Sequence, residues 1–130
     1  MTLYDSSVLI DYLDGTDEAI DYVESHLDER AIAPPLVMFE VYQGEVFKAG
    51  PADFDALEDA LEWVAVIEET ANLERAAAKL QNDLHQRGQA LAARDAFIAG
   101  TAKGLDERLV VADADFDVAG ITDILDIDFI

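Results

Sequence analysis

Short apolar runs alternate with longer segments of helical periodicity along this chain, and the alternation predicts an α/β fold. Four runs predict strands: TLY (2–4), AIA (31–33), WVAVIE (63–68) and RLVVA (108–112). The third run is apolar enough to predict a strand buried on both faces, and GITDILDI (120–127) could add a short edge strand. This order predicts a mostly parallel central sheet of four or five short strands, flanked by helices.

Capping and helix-breaking residues mark the helices between these strands. The segment SSVLIDYLDG predicts a helix that begins with Ser6 or Ser7 as its cap and ends at Gly15. The clearest helical spacing follows Thr70, its predicted cap, and a later helix is expected from about Asp95. One more helix, over 16–30, places four apolar residues on a single face: Ala19, Ile20, Val23 and Leu27.

The composition is typical of one folded domain that spans residues 1–130. The chain is 52% hydrophobic and long enough to bury a core. No run approaches the roughly 18 apolar residues of a membrane span, and the N-terminus lacks the pattern of a secretion signal, so a cytoplasmic protein is expected. Because there is no cysteine, any metal ion must be held by oxygen or imidazole ligands.

The charge balance is strongly acidic, with 29 acidic and 8 basic residues and a formal net charge of −21. The apolar fraction is too high for a disordered acidic tail, so the acidic side chains must cover a folded surface. Such a surface is typical of adaptation to a salt-rich cytoplasm, and an ordinary acidic protein is the alternative. The charge argues against binding DNA or membranes by broad electrostatic attraction, but it is compatible with a nucleic acid held through metal ions.

Four carboxylates stand out from the other acidic residues by their position. Asp5 follows the first strand and Asp113 the fourth, which places both at the carboxyl edge of the sheet, where open α/β sheets bind ligands. Glu40 lies in an apolar stretch of the helix after the second strand, where an unpaired carboxylate is costly. Asp95 lies beside Arg94 at a helix start. A helix cap at Asp95 and a turn residue at Asp113 are the simpler alternatives.

Several carboxylates in one pocket repel one another, and a divalent cation relieves that repulsion. Oxygen ligands select Mg²⁺ or Mn²⁺, and such ions can activate water against a phosphodiester. The sequence therefore favours a shared metal site, with the serines after Asp5 orienting its carboxylate.

These residues also match a known pattern, because the chain resembles the PIN-domain ribonucleases, and its size is similar to that of VapC-type toxins of toxin–antitoxin pairs. The matching pieces are YDSSVLIDYL, FEVYQG, LAARDAFIAGTA and LVVADADF, in the family's order across nearly the whole chain. One departure is Val111 and Ala112, where many relatives have Thr-Arg before the fourth Asp.

The resemblance implies a PIN fold, hydrolysis of RNA with Mg²⁺ or Mn²⁺, a homodimer, and inhibition by a small VapB-like antitoxin. It implies that Asp5, Glu40, Asp95 and Asp113 form the catalytic and metal-binding set. It adds Asp115 as a further acidic residue and Ser7 and Thr101 as supporting hydroxyls. Arg94 is a candidate contact to the substrate because it adjoins Asp95.

Three other interpretations stay open from the sequence. A haloacid dehalogenase-type phosphatase also has an Asp after its first strand, but it needs a second Asp where this chain has Ser7. A PIN domain that binds RNA or a partner without cutting it is the non-enzymatic alternative. A PIN nuclease that processes RNA without any antitoxin is the third.

Overall fold

Five strands form the central sheet in the part of the chain that the structure describes. The computed structural model of this chain describes residues 1–68 and 72–130. The strands are β1 (Thr2–Tyr4), β2 (Ala31–Ala33), β3 (Val64–Val66), β4 (Arg108–Val111) and β5 (Ile127–Phe129). They lie in the order β3-β2-β1-β4-β5, and every neighbouring pair is parallel. The predicted α/β fold with a central parallel sheet is therefore confirmed.

Helices connect the strands and flank the sheet. They are α1 (Ser6–Leu13), α2 (Asp17–Ser25), α3 (Pro35–Phe47), α4 (Phe54–Ala60), α5 (Leu73–Gln86), α6 (Ala93–Leu105) and α7 (Ile121–Ile124). A single 3₁₀ turn, Ala114–Phe116, follows β4. The predicted cap at Thr70 lies outside the described residues. Among the described residues, no helix combines the length and apolar character that a membrane span requires.

The prediction that the third strand is buried on both faces is wrong. β3 pairs with β2 at one end of the sheet order, and Val66 is 47% exposed. Strand order is a tertiary property, so the apolar run could not distinguish an edge strand from a central one.

The predicted apolar face of the second helix is also wrong at Leu27, which is 66% exposed because α2 ends at Ser25. Helix α7, in the segment expected to give an edge strand, was not predicted.

The cap of α1 is Asp5, and neither Ser6 nor Ser7 has that role. The Asp5 carboxylate accepts a hydrogen bond from the Ser7 backbone N–H at 3.3 Å. An aspartate is as good a cap as a serine, and the cap here begins one residue earlier than predicted. Helix α6 likewise begins at Ala93, so Asp95 lies in its first turn and is not its cap.

Helices α5 and α6 pack with their backbones in close contact. A Cβ atom built on Gly100 in α6 would lie 2.1 Å from the Cα of Ala77 in α5, so only glycine fits there. Ile98, Ala99 and Ala102 of α6 are buried as well. This packing fixes α6 against the rest of the molecule, and with it the first turn that carries Arg94 and Asp95.

Candidate active site

The Asp5 carboxylate is buried and held in place at the end of β1. Its residue continues the pairing of β1 with β4, because the Asp5 N–H donates to the Val110 carbonyl at 3.0 Å. The Ser7 hydroxyl donates to Asp5 Oδ2 at 2.7 Å and accepts from the Ala112 N–H at 3.0 Å. Ser7 therefore ties the Asp5 carboxylate to the segment that follows β4.

Asp113 and Asp115 follow β4 at the same edge of the sheet as Asp5. Parallel pairing sets Tyr4 opposite Val110, so both strands end side by side. Asp113 caps the 3₁₀ turn, since its Oδ1 accepts from the Asp115 N–H at 2.9 Å. This cap is the local role that the simpler alternative for Asp113 predicted, and it uses one of the two Asp113 carboxylate oxygens.

Asp95 joins the group from the first turn of α6, and its side chain is buried. One carboxylate oxygen from each of Asp95, Asp113 and Asp115 lies within 4.8 Å of the others. Three hard oxygen donors at such separations fit the preferences of Mg²⁺ or Mn²⁺.

The Arg94 guanidinium lies between three carboxylates. Its Nε donates to Glu40 Oε2 at 2.6 Å, its Nη1 to Asp95 Oδ1 at 2.5 Å, and its Nη2 to Asp5 Oδ1 at 3.2 Å. Nη2 also donates to Glu40 Oε1, so the contact with Glu40 is bidentate. Arg94 thus joins Asp5, which follows β1, to Glu40 in α3 and Asp95 in α6 in one ion-pair network.

Glu40 is the carboxylate that the sequence placed in an apolar stretch. The stretch is not uniformly buried, because Phe39 is 59% exposed and Glu40, in the middle of α3, is half-buried. Its carboxylate pairs with Arg94 and accepts a weaker hydrogen bond from the Ser6 hydroxyl at 3.3 Å. The cost expected for an unpaired carboxylate is therefore offset by a partner 54 residues along the chain.

Burial and neighbouring charge both act on the protonation of the cluster. Desolvation raises the pKa of Asp95 above its usual range, Arg94 lowers it, and the charges of Asp113 and Asp5 raise it again. The net effect is a raised pKa. The pKa of Arg94 is also raised, first by its hydrogen bond to Glu40, so the guanidinium stays charged. A cation beside Asp95 is thus favourable.

A model of the PIN domain matches residues 2–121 of the chain. The chain belongs to the PIN-domain family. The four sequence pieces that resemble this family, residues 4–13, 39–44, 91–102 and 109–116, all lie inside the matched range. The match leaves the phosphatase alternative without support. No curated protein is similar enough in sequence to match the chain.

The fold of this PIN domain is similar to that of several solved structures. One is a chain in the crystal structure of VapBC2 from Rickettsia felis bound to a DNA fragment from their promoter, with 15% identity, a TM-score of 0.75 and coverage of 98% and 97% of the two chains. Another is VapBC-1 from nontypeable Haemophilus influenzae, with 20% identity, a TM-score of 0.77 and coverage of 98% and 96%. A third is VapBC-5 from Mycobacterium tuberculosis, a member of the VapBC family of toxin–antitoxin systems, with 22% identity, a TM-score of 0.62 and coverage of 99% and 96%.

Two hydroxyls of this PIN domain differ from what the sequence indicated. The buried Thr101 hydroxyl donates to the Phe97 carbonyl one turn earlier in α6, at 2.8 Å, and not to any of the cluster carboxylates. Ser6 was predicted, together with Ser7, to orient the Asp5 carboxylate, but its hydroxyl donates to Glu40 at 3.3 Å and accepts from Arg94 Nη2 at 2.8 Å. Its position next to Asp5 indicated a role at the site, but nothing in the sequence indicated these two partners.

Proposed function

We propose that this PIN domain is a divalent metal-dependent endoribonuclease and the toxin of a VapBC-type toxin–antitoxin pair. One observation carries the nuclease proposal: carboxylates from four separate segments meet at one edge of the sheet. Asp5, Glu40 and Asp95 surround Arg94, while Asp113 and Asp115 lie within reach of Asp95. An acidic cluster in which Asp5 and Asp95 are buried costs stability, and binding a cation is the function that best accounts for it.

The residues present fit Mg²⁺ or Mn²⁺, because every donor in the cluster is a carboxylate oxygen. In the proposal Asp95 and Asp113 hold the ion with Asp115, and Asp5 and Glu40 complete the acidic set. When bound, the metal supplies an activated water and stabilises charge on the phosphate. The Ser7 hydroxyl keeps the Asp5 carboxylate in a fixed orientation, since it is hydrogen-bonded on both sides.

The chemistry predicts the ends of the RNA products. Water attacks phosphorus in this class of hydrolysis, so the 2′-hydroxyl of the RNA is not required. We therefore expect a 5′-phosphate and a 3′-hydroxyl at each cut. A cyclic phosphate end would contradict the proposed chemistry.

The toxin part of the proposal is supported by the similar structures and by one surface. The solved structures named above are described as VapBC assemblies. On this chain α3 and α4 form a groove of about 500 Å³. Its lining residues are largely apolar: Phe39, Tyr42, Gln43, Val46, Phe47, Phe54 and Glu58. Exposed apolar side chains in one patch are typical of a protein-binding surface, and a VapB-like antitoxin is the proposed occupant. The proposed toxin is a homodimer. It acts in the cytoplasm, where its RNA substrate is found.

The test of the nuclease is RNA cleavage by the purified protein in molar KCl with Mg²⁺ or Mn²⁺. Asp95→Asn should reduce cleavage at least about a hundredfold, since it removes a buried ligand charge, and EDTA should abolish cleavage. Asp83→Asn is the matched control, because Asp83 is an exposed aspartate on α5 that undergoes the same change of charge.

The outcomes separate the remaining alternatives. A folded wild-type protein that cuts no RNA from a varied pool would favour the PIN domain that binds without cutting. Cleavage activity would favour the RNA-processing nuclease if no neighbouring gene encodes a small DNA-binding protein. If a neighbouring gene does encode such a protein, and its co-expression suppresses cleavage, the result would support the proposal that this chain is a toxin.

A further inference from the structure

The Arg94 guanidinium already acts as a cation inside the acidic cluster. All three of its nitrogens donate to carboxylates, from Asp5, Glu40 and Asp95. With the second contact to Glu40, the carboxylates accept four hydrogen bonds from Arg94, and the Ser6 hydroxyl accepts a fifth, from Nη2. This is more than a surface ion pair, because Asp5 and Asp95 are 1% and 5% exposed and the arginine is held by residues of three elements.

The cluster is divided into two sides that share Asp95. Arg94 lies on one side, formed by Asp5, Glu40 and Asp95. The other side consists of Asp95, Asp113 and Asp115, whose oxygens lie within 4.8 Å of one another. Within the described residues, no hydrogen bond joins Arg94 to either Asp113 or Asp115. The single guanidinium charge therefore offsets part of the negative charge on one side, whereas, in the part of the chain that the structure describes, it makes no ion pair with Asp113 or Asp115 on the other.

We propose that Arg94 is an internal counter-ion that takes the place of a divalent ion on the Asp5–Glu40–Asp95 side and limits this PIN domain to one metal ion, at Asp95, Asp113 and Asp115. This inference rests on the proposed function, because it assumes that the cluster binds a divalent metal. It identifies Arg94 as a residue that determines how many ions bind, and where.

Competition for the same oxygens is the physical reason. An arginine cannot give up its charge by losing a proton, so it yields a carboxylate only by moving away. A second ion on its side would have to break the bidentate contact with Glu40 and the contacts with Asp5 and Asp95. An ion that came close without displacing the guanidinium would meet its positive charge at short range.

The same contacts argue against Arg94 as a free contact to the substrate. A phosphate oxygen would have to compete with three carboxylates for its N–H groups. The side chain is 31% exposed, so a purely structural role at the rim of the site is the other interpretation. Metal stoichiometry separates these roles, because only a counter-ion that replaces a metal changes the number of ions bound.

The test is calorimetric titration with Mn²⁺ alone, in molar KCl, without RNA. The wild type should bind one Mn²⁺ in the site, whereas Arg94→Gln should bind two. Both ions should bind tightly enough to be detected in molar KCl. Arg87→Gln is the matched control, since Arg87 is an exposed arginine paired with Asp123, and the variant has the same net charge. This control accounts for ions bound loosely by the acidic surface. Adding Asp5→Asn to Arg94→Gln should remove the second ion.

Thermal unfolding in EDTA gives a second measurement. Arg94→Gln should melt lower than Arg87→Gln without metal, because three carboxylates lose their counter-ion, and saturating Mn²⁺ should remove this difference in melting temperature. Two ions on the wild type, or one ion on Arg94→Gln, would overturn the inference. So would an Arg94→Gln protein that stays unfolded with Mn²⁺, because Arg94 would then be structural. Failure of the nuclease proposal would appear separately, as wild-type protein that binds Mn²⁺ but cuts no RNA.

Discussion

Tyr4 is the last residue of β1, immediately before Asp5, and its ring anchors that strand end in the core. The ring is buried and packs edge-on against Tyr22, with centroids 6.2 Å apart, and against Trp63 at 5.4 Å. Burial raises the pKa of its hydroxyl to about 12, with a further increase from the charge of Glu29 and an opposing effect from Arg108. The strand end that presents Asp5 therefore depends on a tyrosine that resists ionisation.

This raised pKa predicts a loss of stability in alkaline solution. An unfolded tyrosine titrates near 10, so between pH 10 and about 12 the folded state holds more protons than the unfolded state, and stability falls as the pH rises. The loss attributable to Tyr4 is on the order of 2 to 3 kcal/mol. Urea unfolding at a series of pH values should show a shallower loss for Tyr4→Phe than for the wild type. Equal slopes in the two proteins would contradict this role. The pKa of Tyr22 is raised as well, so Tyr4→Phe should remove only part of the loss.

At the residue scale, the sequence predicted which residues lie in the cluster better than it predicted their contacts. Asp5 and Asp113 followed from strand ends, and Glu40 from its apolar surroundings. The role of Arg94 as a counter-ion was not predictable, because the sequence shows that it adjoins Asp95 but not that it reaches Glu40 and Asp5. The partners of Ser6 were missed for the same reason, since Glu40 and Arg94 are 34 and 88 residues away.

At the scale of elements, the contact between α5 and α6 determines where Arg94 and Asp95 lie. Gly100→Ala should lower the free energy of unfolding by about 1 to 3 kcal/mol, because its Cβ would lie 2.1 Å from the Ala77 backbone and the helices would have to separate. We also expect weaker Mn²⁺ binding, since α6 would move with its first turn. Denaturant unfolding and Mn²⁺ titration measure the two effects.

Gly44 in α3 is the matched control for this prediction. It is also a helical glycine, but a Cβ there would have only the Ile10 side chain near it, at 4.0 Å. Gly44→Ala should therefore stabilise the protein by about 0.4 to 1 kcal/mol, through the lower entropy of the unfolded chain. If both variants changed stability alike, close helix packing would not be what requires glycine at Gly100.

Element type was more predictable than element burial. The spacing of apolar residues predicted the helix that became α5, whose buried residues Leu73, Ala77, Leu80 and Leu84 lie one turn apart. The prediction that β3 is buried on both faces was wrong because strand order depends on contacts with the rest of the chain. A short apolar run has the same pattern in a central strand and in an edge strand.

At the scale of the whole molecule, acidic side chains far outnumber the basic side chains that could pair with them. With 29 acidic and 8 basic residues, most carboxylates have no positive partner, and several of the basic side chains are already used in ion pairs: Lys48, Arg87, Arg94 and Arg108. Added salt weakens both repulsion and attraction between exposed charges. Because repulsive pairs are more numerous here, salt should favour the folded state.

We therefore predict that the melting temperature rises as KCl increases from about 0.1 M to 1 M, where the Debye length falls from about 10 Å to about 3 Å. Because one domain is predicted, the transition should stay single, with the same midpoint by circular dichroism and by tryptophan fluorescence of Trp63. Choline chloride at equal ionic strength is the control: it should act like KCl if screening is the cause, whereas a benefit unique to K⁺ would indicate specific ion binding. A melting temperature that stays constant or falls with salt would show that the acidic surface is no adaptation to a salt-rich cytoplasm, since its repulsion would not limit folding at low salt.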